Sequence, residues 1–167
     1  MSRSMTRIGC VQDSPENTVR VSIMGFSALE LWASEVGLTV SAKAEEQTSD
    51  YESGVAQIAG CEWHIRTARN TPSKPGAFVA FWCRGVDGRT RPFSGDEMNS
   101  GLMVFVEQQG RRGVFTFTPE HLEQLGITFG SNQPGKRGFR AYPAWCEDLN
   151  SRAKETQRAQ ASAFKEY

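Results

Sequence analysis

Apolar positions change period several times along this chain, and those changes divide it into elements. From about Phe26 to Val36, Leu29, Leu31, Trp32 and Val36 share one helical face. Ser27 stands where such a helix needs a cap, and Gly37 where it stops. Cys61 to Arg69 alternates instead, with Trp63, Ile65 and Thr67 set against Glu62, His64 and Arg66, the two-residue period of a half-buried strand. Ala77 to Arg84 is almost continuously apolar, as a central strand is. The connector between these strands, Thr71-Pro-Ser-Lys-Pro-Gly76, is stiffened by proline and too short for a crossover helix. The strands of Arg66 and Trp82 are therefore expected side by side and antiparallel.

Farther on, Leu102 to Glu107 and Val114 to Thr118 predict a hairpin around Gly110-Arg-Arg-Gly113. Thr118-Pro119 opens a short helix that ends at Gly126. A last strand, Phe139 to Tyr142, halts at Pro143, and a polar helix from about Asp148 to Phe164 closes the chain. No repeat and no interdomain linker interrupts this order. The expectation is a single α/β (α+β) domain over residues 21–167, with a mixed, mostly antiparallel sheet flanked by helices and a flexible segment at residues 1–20.

Composition supports a packed core. The chain has 167 residues, 38% of them hydrophobic, with four Trp and ten Phe, and a chain of that length buries about 70% of its unfolded surface. Its longest apolar runs, Phe78 to Cys83 and Leu102 to Val106, fall far short of the ~20 residues a membrane helix needs. The first residues are polar and lack the apolar stretch of a signal peptide. A cytoplasmic protein without membrane insertion is expected. Cys10, Cys61, Cys83 and Cys146 are scattered, His64 and His121 are the only histidines, and no metal-ligand spacing appears. Free thiols and no metal or other cofactor are expected.

Net charge is zero, but it is unevenly spread. Residues 1–65 carry four basic and nine acidic side chains, a net of −5, and residues 66–167 carry fifteen basic and ten acidic, a net of +5. Balanced totals of this kind can hide a basic face. Two constellations would build one. Arg66, Arg69 and Lys74 lie on a strand and its rigid exit, a stiff set of cations suited to phosphate. Gly135-Lys-Arg-Gly-Phe-Arg140 sets Lys136, Arg137 and Arg140 among glycines that let backbone amides approach an anion. Phe139, Tyr142 and Trp145 interleave aromatic surface for stacking with these basic groups, Phe139 being read rather as core. The plainer reading of both is a charged strand edge over ordinary core aromatics. A candidate acidic site is Asp50 and Glu52, with Glu45, Glu46 and Glu62 near in sequence. These carboxylates are read first as solvated turn acids. No phosphate loop, dinucleotide fingerprint or nucleophile elbow is present, and no catalytic residue is assigned.

Taken in order, Asp50-Tyr51, Arg66-Thr-Ala-Arg69-Asn-Thr-Pro-Ser-Lys-Pro-Gly76 and Phe78-Val-Ala-Phe-Trp82-Cys-Arg84 resemble the MepB family. Pro92-Phe93, Gly113-Val-Phe-Thr-Phe117, the Gly135–Trp145 run and Asn150-Ser-Arg-Ala-Lys-Glu-Thr-Gln157 continue the likeness, which extends from Leu38 to Tyr167. The resemblance implies an α/β fold related to the PD-(D/E)XK nuclease group and nucleic-acid binding; the family's best-known member is encoded beside a multidrug efflux pump. Asp50 stands where the family usually has Glu, and Arg69 where it usually has Lys. Both changes keep charge for binding, yet a metal-dependent reaction would lose its titratable lysine.

The leading expectation is thus a nucleic-acid-binding domain that contacts phosphate through Arg66, Arg69, Lys74, Lys136, Arg137 and Arg140. One alternative is a Mg²⁺-dependent phosphodiesterase or nuclease built on Asp50 with Glu45, Glu46, Glu52 or Glu62. Another is a small-molecule- or protein-binding accessory factor whose pocket is framed by Trp82, Tyr142 and Trp145.

Overall fold

A computed structural model describes residues 25–45 and 51–167. The segment 1–20, Cys10, Glu46 and Asp50 lie outside the described residues. Helix α1, Ser27–Val36, leads into strands β1 (Val40–Ala44), β2 (Gly54–Ile58) and β3 (Cys61–Thr67). Then come β4 (Arg69–Thr71), β5 (Lys74–Ala80), β6 (Cys83–Arg84) and β7 (Thr90–Arg91), followed by a single 3-10 turn at Gly95–Glu97. Strands β8 (Leu102–Gln108) and β9 (Arg111–Phe117), helix α2 (Pro119–Gln124), β10 (Gly138–Ala141), helix α3 (Ser151–Gln160) and β11 (Phe164–Glu166) complete the order.

The large sheet runs β1-β2-β3-β8-β9-β11, antiparallel throughout except between β3 and β8. A parallel pair needs a long crossover. Here the crossover holds β4 and β5, which β10 later joins in a second sheet, β10-β5-β4, and the β6-β7 ribbon. The mixed, mostly antiparallel α+β architecture agrees with the sequence reading.

Two apolar layers hold the large sheet. On one face α1 buries Leu29, Trp32 and Ala33 against Ile58, Trp63, Ile65, Met103 and Phe105, and the Trp32 and Phe105 rings are 5.9 Å apart. On the other face Leu102, Val104, Val106, Phe115 and Phe117 meet Ala77, Val79, Phe139 and Ala141 from the inner side of the small sheet. Strand β3 is consequently buried on both faces, not one. Among the described residues no helix is long and apolar enough to cross a membrane.

Local signals placed their elements well. The β8–β9 hairpin turns at Gln109 and Gly110, both at positive φ (50° and 76°), as a two-residue turn matching strand twist requires; Arg111 to Gly113 belong to β9 rather than to the turn. The Thr118 hydroxyl oxygen accepts from the His121 backbone N–H, and Pro119 opens α2. Three expectations are corrected. Ser27 does not cap α1 with its own side chain; the Glu52 carboxylate accepts from Ser27 N (2.9 Å), Ser27 Oγ (2.7 Å) and Ala28 N (3.4 Å). The closing helix stops at Gln160, and residues 164–166 add a sixth strand against β9.

The third correction concerns pairing. Strand β3 lies between β2 and β8, and the return across Thr71–Gly76 is made by β4 against β5. Ala68 N still donates to Phe105 O, after which the chain leaves the large sheet. Trp82 lies in no strand, because β5 ends at Ala80.

Candidate functional site

The face of β3 carrying His64 and Arg66 is covered by the small sheet, so these groups form an internal cluster. Arg66 is 0% exposed. It donates to Glu45 Oε2 at 2.8 Å and to Ile65 O at 2.7 Å, and its guanidinium lies 5.0 Å from the Phe81 ring centroid. His64 Nδ1 lies 2.7 Å from Glu45 Oε1, and Nε2 lies 2.8 Å from the Glu97 carbonyl. Phe93 stacks on Phe81 with centroids 4.4 Å apart and sits 4.9 Å from His64. Burial pushes the Glu45 carboxyl up, but the hydrogen bonds from His64 and Arg66 outweigh it and leave the group below its ordinary value. Arg66 is therefore placed inside the protein, not on an exposed basic face.

Glu97 closes the rim of this cluster. Arg91 grips it with two donors at 2.6 and 2.9 Å, and Ser94 N donates to it at 2.7 Å. The Arg91 hydrogen bonds lead in holding its carboxyl down to about 2. A depressed carboxylate stabilises the fold above its unfolded value near 4.5, and that stability fades as pH falls toward 2. Because the Glu97 side chain is 36% exposed, solvent screening discounts the contribution to about 1 kcal/mol. Glu97→Gln should lose that amount in urea denaturation at pH 7. The gap to wild type should narrow below pH 4.5; a gap independent of pH would refute the assignment.

The described carboxylates of the acidic candidate go to separate partners. Glu52 caps α1 and accepts from Thr67 Oγ1 at 2.7 Å. Glu62 accepts from Gln57 Nε2 at 2.9 Å and Asn99 Nδ2 at 2.6 Å. Glu45 faces His64 and Arg66. Among the described residues, no three His, Cys, Asp or Glu side chains are grouped to hold a metal ion.

The outer face of the small sheet assembles a different set. Antiparallel register sets Arg140 of β10 opposite Phe78 of β5, and Phe78 opposite Arg69 of β4. These three form one cross-strand row. Ala77, Val79 and Phe81 point inward and are fully buried, so Phe78, Ala80 and Trp82 take the outer side by alternation. The Phe78 ring fills the space a Cβ at Gly138 would need, and the Tyr142 ring does the same over Gly76. Tyr51 meets the edge of Phe78 at 6.3 Å and carries the Arg69 guanidinium 5.7 Å above its ring. Arg84 sits 5.5 Å over Trp82, and Arg140 donates to Thr71 Oγ1. Arg69 and Arg84 are exposed; Tyr51, Phe78, Trp82, Arg140 and Tyr142 are half-buried.

The remaining candidates lie around this face. Lys74 is exposed at the start of β5 and borders a cleft of about 420 Å³, which also takes in Gln108, Trp145, Cys146 and Glu147. Trp145 donates through Nε1 to Gln108 Oε1 at 2.8 Å and packs on Phe164 under Arg111. Trp82 and Tyr142 do not line that cleft. Arg137 accepts Phe81 N at its carbonyl, extending the β5–β10 pairing, and reaches Thr90 Oγ1 at 3.3 Å. The Lys136 side chain is exposed, but its backbone N–H donates to Ile127 O and Gly135 packs on Phe129. The expected amide cradle does not form there.

Phe78 and Arg84 were missed as site residues. The signal was present in Ala77-Phe-Val-Ala-Phe-Trp82, where every second residue can face outward; the apolar run hid it.

A family model described as MepB-like matches residues 45–166, which contains the whole outer face. The crystal structure of a protein named MepB superposes with a TM-score of 0.75 at 29% identity, covering 84% of this chain and 97% of that one. No curated protein matches the chain.

Proposed function

The chain belongs to the MepB-like family, and we propose that it binds nucleic acid through the outer face of the small sheet. The observation that carries this reading is the Arg140–Phe78–Arg69 row, two arginines in register with an aromatic ring on adjacent strands. Adjacent strands lie about 4.8 Å apart, so such a row offers cations to phosphate and a ring face to a base within one small area. Lys74 at one end of the sheet and Arg137 at the other extend the positive character. The excess of basic groups in residues 66–167 supports the same reading. Arg66 takes no part, since it is internal.

Fluorescence anisotropy with labelled oligonucleotides at several salt concentrations tests it. Losing two phosphate contacts in Arg69→Gln/Arg140→Gln should weaken binding and lower the salt slope by about 1.4 to 1.8. A thermal melt of the variant checks that the domain still folds. Absence of binding by the wild type at low salt would refute the proposal.

A further inference from the structure

We infer that the ligand of this face is single-stranded nucleic acid, held by stacking on Phe78 and Tyr142 with little dependence on base identity; the inference rests on the binding reading above. In a duplex the bases stack on one another and present only edges and phosphates, so a flat aromatic surface adds nothing to its binding beyond charge. This face is aromatic as well as cationic. Phe78 and Tyr142 are seated over Gly138 and Gly76, glycines whose missing Cβ atoms make room for the rings. Each ring is thereby supported by backbone on one side, while both residues keep partial solvent exposure.

Arg69 and Arg140 stand in register with the Phe78 ring, and Arg140 reaches across to the Thr71 hydroxyl on β4. Rings and guanidinium groups side by side on one face offer a single strand both a stacking surface for bases and cations for phosphates. A chain with zero net charge also lacks the overall positive field that drives tight duplex association.

The test compares oligo(dT) and oligo(U) of about twenty nucleotides, long enough for any usual site size, with a DNA duplex of the same length at fixed salt. Both homopolymers stay unpaired, so one or both should bind more tightly than the duplex. Phe78→Leu and Tyr142→Leu keep apolar bulk over the glycines but remove the ring face. Each should weaken single-strand binding by roughly tenfold or more and leave the salt slope unchanged. Duplex binding equal to or tighter than single-strand binding, or unchanged single-strand affinity in both leucine variants, would overturn the inference while the broader binding reading stands. Failure of the wild type to bind any of the three would remove both.

Discussion

Arg66→Ala should cost about 3–5 kcal/mol of stability, the usual penalty for removing one partner of a buried ion pair. Three losses combine in it. Glu45, whose side chain is only 14% exposed, keeps a negative charge with His64 alone to answer it. Phe81 loses the cation over its ring. A cavity also opens between the sheets, because Arg66 is among the largest fully buried side chains. Polar character matters more than volume here, so Arg66→Met should recover little. In Glu45→Ala/Arg66→Met the uncompensated carboxylate is gone as well, and the double variant should be more stable than the sum of the single losses by at least about 1 kcal/mol. Urea denaturation of the four proteins at pH 7 measures this. The cost should also shrink in acid: Glu45 is held below its ordinary value, so its stabilisation is present above about 4.5 and is lost as pH falls from there. Additive losses would mean that the pair is not coupled, and Arg66 would then act through packing alone.

The same residue shows what sequence can and cannot carry. Alternation along Cys61–Arg69 placed His64 and Arg66 on one side of a strand, and the structure agrees. Whether that side met water was decided by β5 and β10, which lie later in the chain and cover it. Its partner Glu45 lies well upstream, at the end of β1, and no local pattern ties a carboxylate there to an arginine on β3. The capping of α1 follows the same logic, since Glu52 arrives from beyond β1. Features set within a few residues were legible: Thr118-Pro119 opening α2, Gly37 closing α1 in left-handed geometry, and the β8–β9 hairpin, though its turn falls at Gln109-Gly110 rather than across Gly110–Gly113. Arg69 and Arg140 could each be singled out as basic candidates. Their common row with Phe78 could not, because it depends on β10 pairing with β5 in one register.

Gly101→Ala should destabilise the fold by about 3–5 kcal/mol, from backbone strain and crowding together. Gly101 has φ of 131°, a conformation that residues with a side chain rarely adopt. It is also buried and wedged at the start of the parallel pairing, donating to Met98 O and accepting from His64 N, both at 2.9 Å. A Cβ there would lie far inside contact distance of the Phe117 carbonyl oxygen and 2.9 Å from the Trp63 ring. Neither neighbour can yield cheaply, since one is backbone of β9 and the other packs under α1. Gly60→Ala separates the two costs. Gly60 has φ of 78° with nothing within 4 Å of a new Cβ, so it incurs conformational strain alone, about 1–2 kcal/mol. Denaturant melts of both variants should therefore differ by about 1–4 kcal/mol, out of a total that for a domain of this kind is only about 5–15 kcal/mol. If the two cost the same, the strain would account for everything, and the close seating of Gly101 against Phe117 would not be a determinant of the β3–β8 junction. A larger loss at Gly101 would instead locate in that junction the backbone contact that fixes where the crossover ends and the large sheet resumes.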